Sequence, residues 1–81
     1  MRLIKKNSTG SYNEYSTDDG TILKSYAVFV AKKTRGQVQL DREYWDYSVT
    51  TSRHIGKFLN DSMASIRKLI KQGVIELVNL N

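Results

Sequence analysis

Between Tyr44 and Leu59 the spacing of apolar residues changes, and this change restricts the fold more than any other feature of the chain. Upstream, apolar residues alternate in the manner of strands and break at turn residues, whereas downstream they recur three and four apart, as on helices. Strands followed by helices is the order of an α+β fold. The same stretch carries the single Trp, the single His and the longest run of hydroxyl side chains, so it is also the first place to look for function.

Length and residue types limit what can hold such a fold together. The 81 residues allow one small domain spanning 1–81, which is marginal in how much surface it can bury. Cysteine is absent and His54 stands alone, so disulfides, thiolate zinc sites and the usual nitrogen-ligand metal sites are excluded, and neither metal nor cofactor is expected. Stability must come from packing, aided by self-association. No apolar run approaches the roughly 20 residues that span a bilayer. The start, Met1 to Lys6, is charged but has no apolar run behind it, which predicts no signal peptide and an intracellular protein.

Taken in order, Met1 to Lys6 suits a short strand and Asn7-Ser8-Thr9-Gly10 reads as a break, leaving residues 1–10 as a loose N-terminal arm, either a loosely held edge or a tail. Ser11 to Ser16 suits an exposed strand, and Thr17-Asp18-Asp19-Gly20 a tight turn whose Asp-Gly step supplies positive φ. Thr21 to Lys33 reads as one long central strand, with Tyr26, Val28 and Val30 on one face and Ala27, Phe29 and Ala31 on the other. Thr34-Arg35-Gly36 then turns the chain into a half-buried strand from Gln37 to Leu40, and Asp41 to Tyr47 forms an extension or a helical turn.

Thr50, Thr51 or Ser52 can cap a helix that starts near Arg53 and turns Ile55, Phe58 and Leu59 to one side. Asn60-Asp61 opens a second helix, with Met63, Ile66, Leu69 and Ile70 as its apolar stripe and Gly73 at its end. Val74 to Val78 is a β-type run that rejoins the sheet. The expected fold is therefore α+β: a small antiparallel sheet, a three-stranded meander plus a C-terminal strand, covered on one face by two short helices.

Function is less sharply written. The net charge of +5, from 13 Lys and Arg against 8 Asp and Glu, favours polyanions or an acidic protein surface. Arg53, Lys57, Arg67, Lys68 and Lys71 face one acid, Asp61, across two helices spaced like a helix-turn-helix. The base-reading positions of such a pair would be Ser62, Met63, Ala64 and Ser65, which are poor readers, and the same helix can simply show its basic face to water. Ser48, Thr50, Thr51 and Ser52 beside Arg53 and His54 fit an anion site at a helix start, and equally a capped helix with no ligand. His54 reads as a surface residue, Asp18 and Asp19 belong to a turn, and Asp41, Glu43 and Asp46 form an exposed rim, so no catalytic set emerges. Tyr44, Trp45 and Tyr47 are either a lid on the core or a contact patch. Tyr12, Tyr15 and Tyr26, with Lys32, Lys33 and Arg35, combine rings and charge in a way that suits single-stranded nucleic acid.

The string Trp45-Asp46-Tyr47-Ser48-Val49-Thr50-Thr51-Ser52-Arg53-His54, followed by Phe58-Leu59 and by Ile66 to Ile75, with Ser25-Tyr26 upstream, resembles a family of very short proteins from bacteriophages and prophages of Gram-positive bacteria. The shared feature is a Trp-x-Tyr-Ser-x-Thr-Thr-Ser core, and the likeness covers Ser25 to Ile75; Met1 to Lys24 have no counterpart. The resemblance implies a viral accessory protein in the cytoplasm of the infected host, acting by binding and with no set chemistry. The expectation is a non-enzymatic protein that binds a host macromolecule and inhibits or modulates a host enzyme or defence complex, using Tyr44, Trp45, Tyr47, Arg53, Lys57, Arg67, Lys68 and Lys71. The alternative is a nucleic-acid-binding regulator built on the basic helix pair. A host protein or nucleic acid is the expected partner, a membrane is not, and an open sheet edge suggests a homodimer.

Overall fold

The computed structural model describes residues 3–81. Five strands follow one another as a meander: β1 (Ile4–Thr9), β2 (Tyr12–Ser16), β3 (Gly20–Ser25), β4 (Val28–Thr34) and β5 (Gln37–Asp41). Two helices, α1 (Val49–Leu59) and α2 (Met63–Lys71), lead to a last strand, β6 (Ile75–Val78). The six strands lie in chain order in one sheet. The first five pair antiparallel, but β6 joins β5 in parallel, with Val38 opposite Ile75 and Leu40 opposite Leu77. Parallel neighbours need a crossover connection, and α1 and α2 supply it. The α+β class holds, while the sheet is mixed and larger than the antiparallel meander of three strands plus one.

The difference arises at two places. Thr21 to Lys33 is not one strand: the chain folds back at Tyr26-Ala27, bringing Ser25 opposite Val28 and Leu23 opposite Ala31. Reversal places Leu23 and Ala31 side by side, both fully buried, so tertiary packing overrides the continuous β pattern. The turn lacks glycine and sets Tyr26 at φ 56°, a conformation that side chains resist. The Tyr26 N–H donates to Ser11 O at 2.9 Å, which ties this turn to the one between β1 and β2. The second place is the N-terminus, where the expected break at Asn7 to Thr9 is instead paired strand, with Asn7 opposite Glu14 and Thr9 opposite Tyr12. Gly10, at φ 58°, makes the turn. β1 stands at the end of the sheet with all six residues exposed, so of the two expectations, edge or tail, the segment Ile4–Thr9 is the edge. Met1 and Arg2, part of that expected arm, lie outside the described residues.

The core collects on one face. Tyr12, Leu23, Ala31 and Leu40 meet Ile55 and Phe58 of α1 and Ile66 of α2, with Val30 and Ile75 completing the cluster. Full burial of each large aliphatic or aromatic side chain contributes about 1.5–3 kcal/mol. The α1 helix packs on β3 and β4 and reaches Tyr12 of β2 through His54 and Lys57, and α2 packs on β6, so β1 is the strand left exposed. Lys33 Nζ donates to Phe58 O at 2.9 Å, satisfying a carbonyl in the last turn of α1.

Asp41, expected on an exposed rim, is 2% exposed. One carboxylate oxygen accepts from the backbone of Glu43 and Tyr44, both at 3.1 Å. The other accepts from Leu80 N at 2.8 Å and Asn81 Nδ2 at 3.1 Å. Four donors offset the cost of burying the charge, and they fasten the turn after β5 to the residues after β6. Among the described residues no helix is long and apolar enough to cross a membrane.

Candidate functional site

The α1 helix begins earlier than Arg53, because Ser48 rather than Thr50, Thr51 or Ser52 is its cap. Ser48 has extended φ and ψ, and its Oγ accepts from Thr51 N at 3.1 Å, as an N-cap requires. The Ser48 hydroxyl also donates to Thr51 Oγ1 at 3.1 Å. With the helix starting here, Thr51 and His54 stand one turn apart on the inward side, facing the end of β3. There Ser25 Oγ lies 3.3 Å from Thr51 Oγ1 and 2.8 Å from His54 Nδ1. Ser25 and Thr51 are 1% and 3% exposed, so these bonds replace water for both hydroxyls.

The sense of this chain follows from the state of His54. Burial, and then the nearby charge of Lys57, hold its pKa below the usual value, so the ring is neutral at pH 7. We assign Nδ1 as the acceptor for Ser25, which places the proton on Nε2 and lets the hydroxyls run in one direction, from Ser48 to Thr51 to Ser25 to His54. Two tyrosines hold the ring: Tyr12 edge-on, with centroids 5.5 Å apart, and Tyr26 tilted at 6.1 Å. Lys57 Nζ sits 4.7 Å from the centre of the Tyr12 ring. The Tyr12 hydroxyl donates to Glu14, and burial together with that carboxylate raises the phenol pKa.

Beside this network is a cavity of about 220 Å³. Its floor is Ser25 and Thr51; Tyr26, Ala27 and Val28 form the wall on the β3–β4 turn, and Tyr44 and Tyr47 the wall on the segment before α1. Tyr44 and Tyr47 meet edge to face at 5.7 Å. Tyr26 is 59% exposed and Tyr47 73%, so two of the three rings stand at the mouth. A volume below the roughly 300–1,000 Å³ of small-molecule pockets suits one inserted side chain better than a cofactor. A larger depression of about 410 Å³, lined by Asp18, Asp19, Thr34 and Arg35, lies at the opposite end of the meander and away from this network.

The sequence matches a family of unknown function (DUF8033) over residues 2–75. The chain belongs to this family. Comparison with curated proteins and with solved structures returns no match. The matched span contains every residue that lines the cavity.

Of the residues expected to contact a partner, Tyr44 and Tyr47 enter the cavity wall. Arg53 and Lys57 are exposed on the same helix as Thr51 and His54. Trp45 packs partly against the core, and the Arg67 guanidinium stands 5.0 Å from its ring, so these two form a separate pair. Lys68 and Lys71 are exposed in the last turn of α2. At the start of α2, Ser62 caps the helix by accepting from Ser65 N at 3.2 Å, and Ser65 donates to Asp61 at 2.9 Å. His54, expected at the surface, is half-buried. Asp46 is exposed, and among the described residues no carboxylate bonds to His54 and no cluster of three metal-ligating side chains occurs. Sequence reading missed Ser25, Ala27 and Val28 as site residues, because their places depend on a turn with no turn residue in it. The one signal pointing to Ser25 was the Ser25-Tyr26 step, which stood in the same resemblance as Thr51 and His54.

Proposed function

We propose that this protein acts by binding, without catalysing a reaction, and that it seats an apolar side chain of a host protein between Tyr26, Tyr44 and Tyr47. The observation that carries the reading is the 220 Å³ cavity with two exposed rings at its mouth. Tyrosines of this kind dominate binding hot spots, since they bury much area with few rotatable bonds. Arg53 and Lys57, exposed on the adjoining helix, favour a partner whose anchor is ringed by acidic groups and speed the encounter. Trp45 with Arg67, and Lys68 with Lys71, extend the basic surface.

The Ser25–His54 contact has the atoms of a nucleophile and base, yet several features support a positioning role. Ser25 is 1% exposed, and His54 has no orienting carboxylate among the described residues. The likeness of residues 25–75 to phage proteins supports an accessory protein in the cytoplasm of an infected bacterium that inhibits or modulates a host enzyme or defence complex.

The test is affinity capture from host lysate, with and without nuclease, using the wild type and the Tyr47→Ala variant. One or two host proteins retained after nuclease and lost with Tyr47→Ala are expected. Host proteins that vanish after nuclease, or that Tyr47→Ala retains in full, would overturn the reading. If Lys68→Gln with Lys71→Gln then abolished capture, the basic helix pair would take its place.

A further inference from the structure

The sheet face turned away from the helices carries a second arrangement of rings and charge. Strand register places Lys5, Tyr15, Ile22, Lys32, Gln39 and Glu76 in one row across all six strands. The neighbouring row sets Lys24 beside Phe29, with the Lys24 ammonium 5.5 Å from the ring centre. Ile22 is 4% exposed yet stands outside the core cluster, which confirms that it belongs to this other face. The lysines lie on β1, β3 and β4, while the acid of the row, Glu76, is at the far edge and hydrogen-bonded to Gln39.

We infer that this face binds single-stranded nucleic acid, with Tyr15 and Phe29 as stacking platforms and Lys5, Lys24 and Lys32 as phosphate contacts. Charge selects the occupant. A second copy laid on the face would oppose lysines to lysines, whereas a phosphate backbone complements them. Geometry selects the strandedness. Six strands about 4.8 Å apart make a face wider than the roughly 12 Å major groove, and stacking on an aromatic ring needs a base freed from its neighbours. Tyr15 and Phe29 are separated by β3, about 10 Å across the sheet, so each ring receives its own base. Lys32 is 3.7 Å from Asp19, a pair exposed on the Asp19 side and weak enough for a phosphate to compete. This inference does not rest on the tyrosine cavity, which opens at the end of the sheet.

The experiment is fluorescence polarisation with a labelled oligothymidylate of about 16 nucleotides, compared with a duplex of equal length. Expected are tighter binding to the single strand and a log–log salt slope near about −2, the value for three phosphate contacts. Tyr15→Ala should weaken binding by about tenfold, the loss of one stacked base. Lys24→Gln with Lys32→Gln should flatten the salt slope while thermal melting shows the fold intact, and Lys68→Gln with Lys71→Gln and Tyr47→Ala should change nothing. No binding at low salt, a preference for duplex, or loss of binding only in the α2 variant would each overturn the inference.

Discussion

Ser25 Oγ lies 2.8 Å from His54 Nδ1, although the two residues are 29 positions apart in the chain. The bond joins the last residue of β3 to the middle of α1, so it fixes where the helix sits on the sheet. Ser25→Ala removes it and leaves the buried Thr51 hydroxyl proton without its acceptor, although Ser48 still donates to Thr51 Oγ1, which should lower stability by about 1–2 kcal/mol. Urea unfolding measures the loss, and an unchanged midpoint would sink the assignment.

His54 gives the fold a dependence on pH. Its pKa is held below 6.5, mainly by burial and secondly by Lys57, so the folded chain binds fewer protons than the unfolded chain just below that value. Stability is therefore complete above the unfolded pKa and is lost as the pH falls through the folded one. Melting temperature should drop between pH 7 and about 5.5, a range that largely spares ordinary carboxylates. His54→Gln should flatten the drop. Lys57→Ala should raise the His54 pKa, followed by NMR titration of the ring protons.

Tyr26 separates stability from binding. Its positive φ is unfavourable for a tyrosine, whereas asparagine tolerates such angles. Tyr26→Asn should keep or raise the melting temperature, by up to about 1 kcal/mol of stability, while removing a ring from the cavity mouth. Partner capture should fall. A variant that melts early and still captures the partner would contradict both halves.

Gly20 has no room for a side chain. A Cβ there would lie 1.9 Å from Lys33 O, a backbone atom of the paired strand. Gly20→Ala should cost at least about 3 kcal/mol or prevent folding, read from circular dichroism at 25 °C. Wild-type stability in that variant would show the β3–β4 register to be wrong.

Asp41→Ala leaves two turn amides and the Leu80 and Asn81 donors without their shared acceptor. A loss of about 2–4 kcal/mol is expected, with faster amide exchange at Tyr44 and Leu80 together. Exchange that quickened at only one of them would deny the coupling.

The α2 helix, its glycine stop and β6 were plain in the sequence, because Ile66 and Leu69 keep helical spacing and Gly73 takes the positive φ of 78° that ends the segment. The β3–β4 hairpin was hidden. Tyr26-Ala27 contains none of the residues that announce a turn, and only the length of the β-type run, beyond the usual 3–10 residues, hinted at a fold-back. Asp41 was misjudged for a related reason: its acidic neighbours are exposed, and two of the donors that accompany its burial lie 39 and 40 positions further along. Of the candidate site, Tyr44 and Tyr47 were legible as a local aromatic group. Ser25 was not, since its partners Thr51 and His54 are reached only through tertiary structure.

The parallel pairing of β6 with β5 also sets an order of events during synthesis. The hairpins of the meander close over short loops, but β6 cannot pair until both helices have left the ribosome. The Asp41 clasp waits for it, because two of its four donors follow β6. Tyr44, held by the same carboxylate, is set in place at that moment. A nascent chain therefore has a sheet before it has a finished cavity, and the surface proposed to meet a host partner is completed only once Leu80 and Asn81 have emerged.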